Sequence, residues 1–386
     1  MQFTETHSGR KEWLDDWHVN PSVNRDYDFI DGLRGIAILM VILCHMVYYN
    51  PLSGLAVRFI GACFGSLAHG VTLFFALSGF LISWPFWKLK VAGAQKIAPS
   101  GYAWRRFWKI YPPLALSILL LTPIYIFRDA NPSLLTVAAK WLVGLPFLLP
   151  VSGRLNPVMW SLVVEAQFYV VLPLCFLALR RVSPGMSLWI ITLVFLLAPF
   201  SVRLATRQSP GFFPEINAHF PSGLDYFCLG IFVAGLDNLK LLKPAYARIG
   251  SVGFVLLAFS IFASAWETVH PASNGWTTDE VIRDAVKLSV GCLLFLVAAP
   301  QQPFPRVLCA PWLRWCGIIS YEWYLIHQPI YFWTRESMGS AHGNIFKYAA
   351  VVAGPFVVSL FVAATIYRFF SLPILKGARE KRPGRT

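Results

Sequence analysis

Residues 31–45 read DGLRGIAILMVILCH, an apolar stretch that carries an arginine and a histidine eleven residues apart. At about 100° per residue, Arg34 and His45 return to within about 20° of each other and lie about 16 Å apart along a helix axis. Asp31 lies about 40° from His45 on the other side of that face. Ionisable side chains within an apolar helix are costly in lipid and indicate function. The stretch therefore predicts a membrane helix with one polar, functional face.

The composition of the chain excludes an ordinary soluble protein. Hydrophobic residues make up 56% of the 386 residues and charged residues 13%, with a net charge of +14, whereas soluble domains carry about 25% charged residues. The basic residues lie in short segments between apolar runs, as the positive-inside rule expects. We therefore expect a multi-pass protein of the cytoplasmic (plasma) membrane, with the lipid bilayer and no nucleic acid among its partners.

Eleven apolar segments are candidate membrane spans. They cover residues 29–49, 64–87, 108–127, 134–150, 157–179, 186–202, 221–237, 249–266, 283–300, 315–333 and 345–372. The segment at 134–150 is the weakest, because it is short and contains Lys140 and Pro146. If it dips into the membrane without crossing, 21 of the 33 basic residues fall on one side and ten on the other.

This charge asymmetry selects a topology. The sequence predicts an all-α polytopic membrane protein with about ten transmembrane helices, both termini cytosolic, and one short re-entrant or non-spanning segment near 134–150. Residues 1–28 form a cytosolic N-terminal tail, 29–372 the transmembrane domain, and 373–386 a basic cytosolic tail. The N-terminal tail is too long and too acidic for a signal-peptide n-region, so we expect the first span to remain as an uncleaved anchor.

A basic, aromatic cluster precedes the third predicted span, where residues 104–112 read WRRFWKIYP. Arg105, Arg106 and Lys109 place three cations in five residues, and arginine forms bidentate contacts with phosphate. The aromatic residues between them offer a stacking surface. The cluster suits a phosphate-rich nucleotide ligand. The alternative is ordinary topology, with positive residues and an aromatic belt at the interface.

A carboxylate lies within the span that contains residues 160–169, WSLVVEAQFY. Glu165 and Tyr169 share a helix face at i,i+4. Glu165 is expected in the outer half of the membrane, as is His45, and a carboxylate next to a histidine can orient it and raise its basicity. The alternative is a structural glutamate bonded to Tyr169 or to a neighbouring tryptophan.

Two further segments carry polar residues within apolar runs. Residues 320–329 read SYEWYLIHQP and place Tyr324 and His327 in one span, where the histidine serves either a polar channel or a helix interface. Residues 74–80 read FFALSGF, and Ser78 followed by glycine indicates first the close packing of helices through small residues. A serine nucleophile would need an adjacent base that this stretch does not show.

These segments, in this order, resemble the acyltransferase-3 family of multi-span membrane acyltransferases. The chain matches the family's Arg-x10-His, Phe-Phe-x-x-Ser-Gly-Phe, Arg-Arg-x-x-Arg-Ile-x-Pro, Trp-Ser-Leu-x-x-Glu-x-x-Phe-Tyr and Tyr-Leu-x-His-x-Pro patterns, with Lys109 in place of the third arginine. The resemblance covers residues 28 to about 372. It implies a ten-span fold, an acyl-CoA donor that enters from the cytosol, a catalytic His45, and donor contacts from Arg34 and the Arg105–Arg106 cluster. Because lysine lacks the planar fork of arginine, the donor role of Lys109 is the weakest of these.

The expected function is therefore membrane O-acyltransfer. The enzyme would move an acyl group, with acetyl as the first expectation, from acyl-CoA to a hydroxyl of a carbohydrate, glycolipid or other sugar-bearing acceptor. His45, oriented by Glu165 or Asp31, would act as general base or carry the acyl group. Acyl-CoA is the donor substrate, and we expect no tightly bound cofactor, no metal and no second catalytic site.

Two other functions remain open at this point. The alternative of another class is a secondary transporter with an intramembrane His/Glu/Arg relay, although the sequence shows no inverted repeat and no matching pair of broken spans. The other alternative is a membrane acyltransferase of the unrelated MBOAT type. The histidine of that family lies late in the chain, whereas the Arg-x10-His pattern here lies in the first span.

Overall fold

The protein is a bundle of helices. The computed structural model describes residues 13–17, 28–48, 62–129, 131–144, 155–208, 224–269, 276–298, 307–338 and 345–381, which are 89% helical and contain no strand. Their α-helices are α1 (Asp28–Tyr48), α2 (Gly70–Val91), α3 (Tyr102–Asp129), α4 (Ser133–Leu142), α5 (Trp160–Ala178), α6 (Pro184–Gln208), α7 (Asp225–Asn238), α8 (Ala247–Val269), α9 (Trp276–Leu293), α10 (Pro311–Ile318), α11 (Ser320–Met338), α12 (Ile345–Ile366) and α13 (Leu372–Glu380).

The described residues also contain short 3-10 helices and one π-helix. The 3-10 helices are Trp13–Trp17, Leu67–His69, Pro157–Met159, Pro244–Tyr246 and Leu294–Ala298, and the π-helix is Tyr367–Ser371. The first of them, in the predicted N-terminal tail, packs against the bundle: Leu14 is buried, and the Trp17 ring lies 5.5 Å from the Trp315 ring.

Within the described residues, seven stretches of helix are long and apolar enough to cross a membrane, as expected for an all-helical polytopic protein. They are Asp28–Met46, Ala62–Val91, Tyr102–Asp129, Pro157–Ala178, Pro184–Ser201, Pro244–Trp266 and Ala350–Glu380. Helix α4 lies in the segment predicted to be re-entrant or non-spanning. Its ten residues extend about 15 Å, half of a hydrocarbon core of about 30 Å.

Helices α2 and α5 run in the same direction. Ser78 of α2 contacts Glu165 of α5. Further along both helices in the chain direction, Lys90 near the end of α2 donates to the carbonyl of Leu179 just after α5. Helices α1 and α11 are parallel for the same reason, because Arg34 contacts Ser320 and His45 contacts His327. These two parallel pairs bring the polar residues of α1, α2, α5 and α11 to the middle of the bundle.

Glycines allow α2 and α7 to approach each other closely. A Cβ atom at Gly79 would collide with the carbonyl oxygen of Phe227, and one at Gly230 would collide with that of Ala76. The neighbouring rings of Phe168 and Phe227 stack with centroids 4.0 Å apart. The sequence prediction that Ser78-Gly79 marks close helix packing is therefore correct for the glycine.

The structure corrects three predicted helix boundaries. The third span starts at Tyr102 rather than at 108, so the basic cluster forms the first turns of α3 instead of its approach. The predicted span at 315–333 is divided between α10 and α11 at Ile319. The last helix passes through the π-helix into α13, so residues 373–380 of the predicted tail are helical, and the Ala378 carbonyl accepts a hydrogen bond from Trp104.

Candidate active site

A cavity of about 110 Å³ lies between α1, α2, α3, α5 and α11. At roughly 10–15 Å³ for each water, it has room for several small groups. Its polar lining comes from five helices and consists of Arg34, Ser78, Arg106, Lys109, Ser161, Glu165, Tyr169, Ser320, Tyr321 and Tyr324. Seven of these ten side chains belong to the sequence-predicted site, so the structure brings most of that site together.

Three cations line the cavity. Nη2 of Arg34 donates a 3.1 Å hydrogen bond to Oγ of Ser320. The guanidinium of Arg106 lies 5.7 Å from the ring centroid of Tyr169, within cation–π range. The ammonium of Lys109 lies 5.8 Å from the ring of Tyr367. Three positive charges facing one cavity favour an anionic ligand.

The carboxylate of Glu165 is held by two hydroxyl groups. Oγ of Ser78 donates to Oε1 at 2.8 Å, and the hydroxyl of Tyr169 donates to the same oxygen at 2.6 Å. The structural alternative for Glu165, a bond to Tyr169, is therefore present. The predicted role of Glu165 in orienting His45 stays a prediction.

Tyr324 separates the cavity from a pair of histidines. Its hydroxyl lies 2.8 Å from Oγ of Ser161 and 3.1 Å from the carbonyl oxygen of Val158. The ring of Tyr324 lies 5.8 Å from the ring of His327. Tyr324 and Ser161 therefore form the wall of the cavity nearest to the histidines.

The two intramembrane histidines contact each other. Nε2 of His327 lies 3.1 Å from Nδ1 of His45, and the ring centroids are 5.0 Å apart. His327 is fully buried, whereas His45 is partly buried. The helix periodicity correctly predicts that Arg34 and His45 face the same neighbour, since both contact α11.

Four sequence-predicted site residues lie outside the cavity lining, namely Asp31, His45, Arg105 and His327. Arg105 is absent from the lining, and its Nη1 donates to the carbonyl of Ser100. Asp31 is fourteen residues before His45, about 21 Å along the axis, so it is not the orienting partner of the imidazole. His45 and His327 lie beyond the Tyr324 wall, so of the predicted polar face of α1 only Arg34 lines the cavity.

The sequence reasoning missed three lining residues, Ser161, Ser320 and Tyr321. Tyr321 donates a 2.9 Å hydrogen bond to the carbonyl of Ile110. All three lie inside quoted segments, WSLVVEAQFY and SYEWYLIHQP. The sequence could have indicated them. Hydroxyl residues in an apolar span that also carries an ionisable group are candidates for the same polar lining.

The fold and this site define a multi-pass membrane protein with a buried polar cavity suited to an anionic substrate. A family model described as an acyltransferase domain matches residues 27–368 of the chain. The chain belongs to this family and is an acyltransferase, as the resemblance in the sequence predicts. A transporter is not supported by this membership.

The chain is similar to two curated proteins over most of its length. It is 26% identical over 358 residues to Acyltransferase MdmB of Streptomyces mycarofaciens, and the match covers 87% of each chain. It is 24% identical over 381 residues to Peptidoglycan O-acetyltransferase OatA of Listeria monocytogenes, covering 90% of this chain and 55% of OatA. The chain therefore spans about half of the length of OatA. No solved structure matches it.

Proposed function

We propose that this acyltransferase is a membrane O-acyltransferase that moves an acetyl group from acetyl-CoA to a hydroxyl of a carbohydrate or other sugar-bearing acceptor. The observation that carries the proposal is the position of the cationic and histidine side chains along the parallel helices α1 and α11. Arg34 and its cationic neighbours face the cavity, and the His45–His327 pair lies behind the Tyr324 wall. An anionic donor and a base thus occupy neighbouring positions.

The donor site consists of the cavity cations. Arg34 and Arg106 bind phosphate groups of acyl-CoA, because guanidinium groups match phosphate oxygens in geometry and charge. Lys109 adds a third positive charge but lacks the bidentate geometry of a guanidinium group. Glu165, which Ser78 and Tyr169 hold in place, keeps the Tyr169 ring under the Arg106 guanidinium.

His45 is the general base of the reaction. It removes the proton from the acceptor hydroxyl, whose oxygen attacks the carbonyl carbon of the thioester. The carbon–sulfur bond then breaks, and the leaving CoA thiolate takes the proton from the His45 imidazolium. The products are the O-acyl ester and free CoA, so the base is regenerated. Access to His45 requires a displacement of the Tyr324 side chain.

The acceptor class rests on the relatives. The name of OatA states that it O-acetylates peptidoglycan, a carbohydrate polymer. A carbohydrate acceptor for this chain extends that chemistry across an identity of 24%. Hydroxyl groups are the abundant nucleophiles of carbohydrates, and a histidine is a suitable general base to activate them.

The proposed topology has ten spans, both termini in the cytosol and the plasma membrane as its location. The parallel directions of α2 and α5 support it, because two parallel helices require an odd number of crossings between them. Helix α3 is one crossing, and the short α4 adds none. With the start of α3 on the cytosolic side, the cationic side of the cavity faces the donor pool.

The test is acetyl transfer by the purified protein in lipid nanodiscs with radiolabelled acetyl-CoA and a panel of soluble glycans. We expect label in an alkali-labile ester on glycan. His45→Ala should lose transfer by roughly 100-fold or more, the contribution of a general base, while its thermal unfolding midpoint stays unchanged. Acetyl transfer by His45→Ala at the wild-type rate, or no labelled acceptor with any glycan or envelope extract, would contradict the proposal.

A further inference from the structure

The hydrogen bonds of the histidine pair determine which ring nitrogen of His45 is basic. We propose that His327 is a positioning residue that fixes the tautomer of His45, with the hydrogen on Nδ1 and the basic lone pair on Nε2. The inference rests on the proposed function, because it concerns how the base of that reaction is prepared. Its structural basis is the set of partners around two ring nitrogens.

Nδ1 of His327 carries a hydrogen. It lies 3.1 Å from the carbonyl oxygen of Trp323 and 2.9 Å from that of Tyr324. Carbonyl oxygens only accept hydrogen bonds, so the nitrogen between them donates. His327 is fully buried, and a charged imidazolium there would be costly. Neutral His327 therefore presents a lone pair at Nε2.

The lone pair of His327 fixes the hydrogen of His45. Nδ1 of His45 lies 3.1 Å from Nε2 of His327 and 3.0 Å from the carbonyl oxygen of Val41. Both partners are acceptors, so Nδ1 of His45 carries the hydrogen and shares it in a three-centre bond. A neutral imidazole has one ring hydrogen, which leaves the lone pair of His45 on Nε2.

The opposite tautomer is disfavoured by the same geometry. With its hydrogen on Nε2, His45 would turn the Nδ1 lone pair toward the lone pairs of the Val41 carbonyl and of His327. Both hydrogen bonds would be lost, and the fully buried Nε2 of His327 would lose its donor. The tautomer is therefore set by α11 and by the helix backbone of α1, before any substrate binds.

The pair also stabilises the charged form of the base during transfer. When Nε2 of His45 takes the acceptor proton, the bond from Nδ1 to His327 becomes charge-assisted and stronger. A carboxylate does this in the Ser-His-Asp triad. Here a neutral acceptor does so without placing a permanent negative charge in the interior of the bundle.

The first test compares two substitutions of His327 that differ in their ability to accept a hydrogen bond. In His327→Gln the side-chain oxygen can still accept from Nδ1 of His45, whereas His327→Leu offers no acceptor. Tyr331→Phe is the matched control on the same helix, because Tyr331 is buried and its hydroxyl has no hydrogen-bond partner among the described residues. The activities are compared only between variants whose thermal unfolding midpoints are equal.

We expect His327→Leu to lower kcat by roughly 10–100-fold, with KM for acetyl-CoA unchanged. Losses of this size are typical when the hydrogen-bond partner of a functional histidine is removed. His327→Gln should recover most of kcat, and Tyr331→Phe should equal the wild type. A wild-type kcat in His327→Leu, or an equal loss in both His327 variants, would overturn the positioning role.

The second test reads the tautomer without any reaction. Nitrogen-15 NMR of histidine-labelled protein in nanodiscs, with the His45 signals assigned by their loss in His45→Gln, should show a protonated Nδ1 and an unprotonated Nε2. His327→Leu should shift the ring toward the Nε2–H form. A wild-type His45 with its hydrogen on Nε2 overturns the inference. The expected tautomer in a protein that transfers no acetyl group would contradict only the proposed function.

Discussion

The hydroxyl of Ser78 donates a 2.8 Å hydrogen bond to Oε1 of Glu165, although 87 residues separate the two in sequence. The bond links α2 to α5 at the cavity wall. Because Tyr169 donates to the same oxygen, one carboxylate oxygen satisfies two hydroxyls. Glu165 therefore acts as a hydrogen-bond acceptor that links two helices. This contribution to stability can be measured separately from any role in proton transfer.

We predict that the acceptor oxygen, rather than the charge, of Glu165 maintains the fold. Glu165→Ala leaves two hydroxyls without their acceptor and should lower the free energy of unfolding by about 1–3 kcal/mol. Glu165→Gln keeps an acceptor oxygen and should stay within about 1 kcal/mol of the wild type. Thermal unfolding in detergent measures both. Equal destabilisation in the two variants would show that the charge itself is required.

The donor site should distinguish two adjacent arginines. Acetyl-CoA at about 100 times its Kd should stabilise the wild-type protein by about 2.7 kcal/mol. Arg106→Gln removes a guanidinium that faces the cavity and should weaken donor binding by roughly 10–100-fold, since hydrogen bonds to charged groups contribute about 1.5–3 kcal/mol. Ligand-dependent shifts of the thermal midpoint measure the change.

Arg105→Gln is the control for that experiment, because Arg105 has the same charge and lies outside the cavity lining, bonded to the Ser100 carbonyl. It should retain the wild-type affinity for acetyl-CoA. Equal weakening by Arg105→Gln and Arg106→Gln would mean that only the summed charge of the cluster attracts the donor, as the undivided basic motif suggests.

Local periodicity was sufficient to predict the polar face of the first helix. Arg34 and His45 both turn toward α11, as their eleven-residue spacing requires. The division between Arg105 and Arg106 was not predictable from hydropathy, because a hydropathy window starts a span at the first apolar residue. Helix α3 starts six residues earlier, at Tyr102, and its rotation then separates neighbouring side chains by about 100°.

Contacts between distant helices could not be read from the sequence. Any of several intramembrane groups could have partnered His45, and depth alone favoured Glu165. The structure instead places His327 beside it, because α1 and α11 are parallel neighbours. Likewise, Lys287 of α9 pairs with Asp225 of α7, a contact between residues 62 positions apart in the sequence. Hydropathy and charge rules treat each residue separately, so they do not predict that a charged side chain is paired with another in the interior.

Glycine at the α2–α7 crossing should be required for packing. A Cβ atom at Gly79 would meet the backbone carbonyl of Phe227, which cannot move independently of its helix. Gly79→Ala should therefore destabilise the protein by about 1–3 kcal/mol, as overpacking does in other cores. Gly377→Ala is the control, since a Cβ atom there meets nothing within 4 Å and alanine favours the helix. Destabilisation by both substitutions, measured by thermal unfolding, would contradict the crossing geometry.

A buried ion pair links α7 to α9 and provides the last prediction. Nζ of Lys287 lies 2.6 Å from Oδ2 of Asp225, and their side chains are 11% and 5% exposed. The ammonium also lies 4.8 Å from the ring of Tyr226. Removal of either partner breaks this contact between two charges inside the bundle. Asp225→Leu and Lys287→Met should therefore each cost about 3–5 kcal/mol of unfolding free energy.

The double variant Asp225→Leu/Lys287→Met should recover most of that loss, because a buried pair replaced by apolar groups of similar volume is often close to neutral. The matched control is the exposed pair of Arg128 and Asp129, where Asp129→Asn should leave the thermal midpoint unchanged because solvent screens it. Strictly additive losses at Asp225 and Lys287 would show that the two charges act independently. The pair would then contribute nothing to holding α7 against α9, and its burial would need a functional reason.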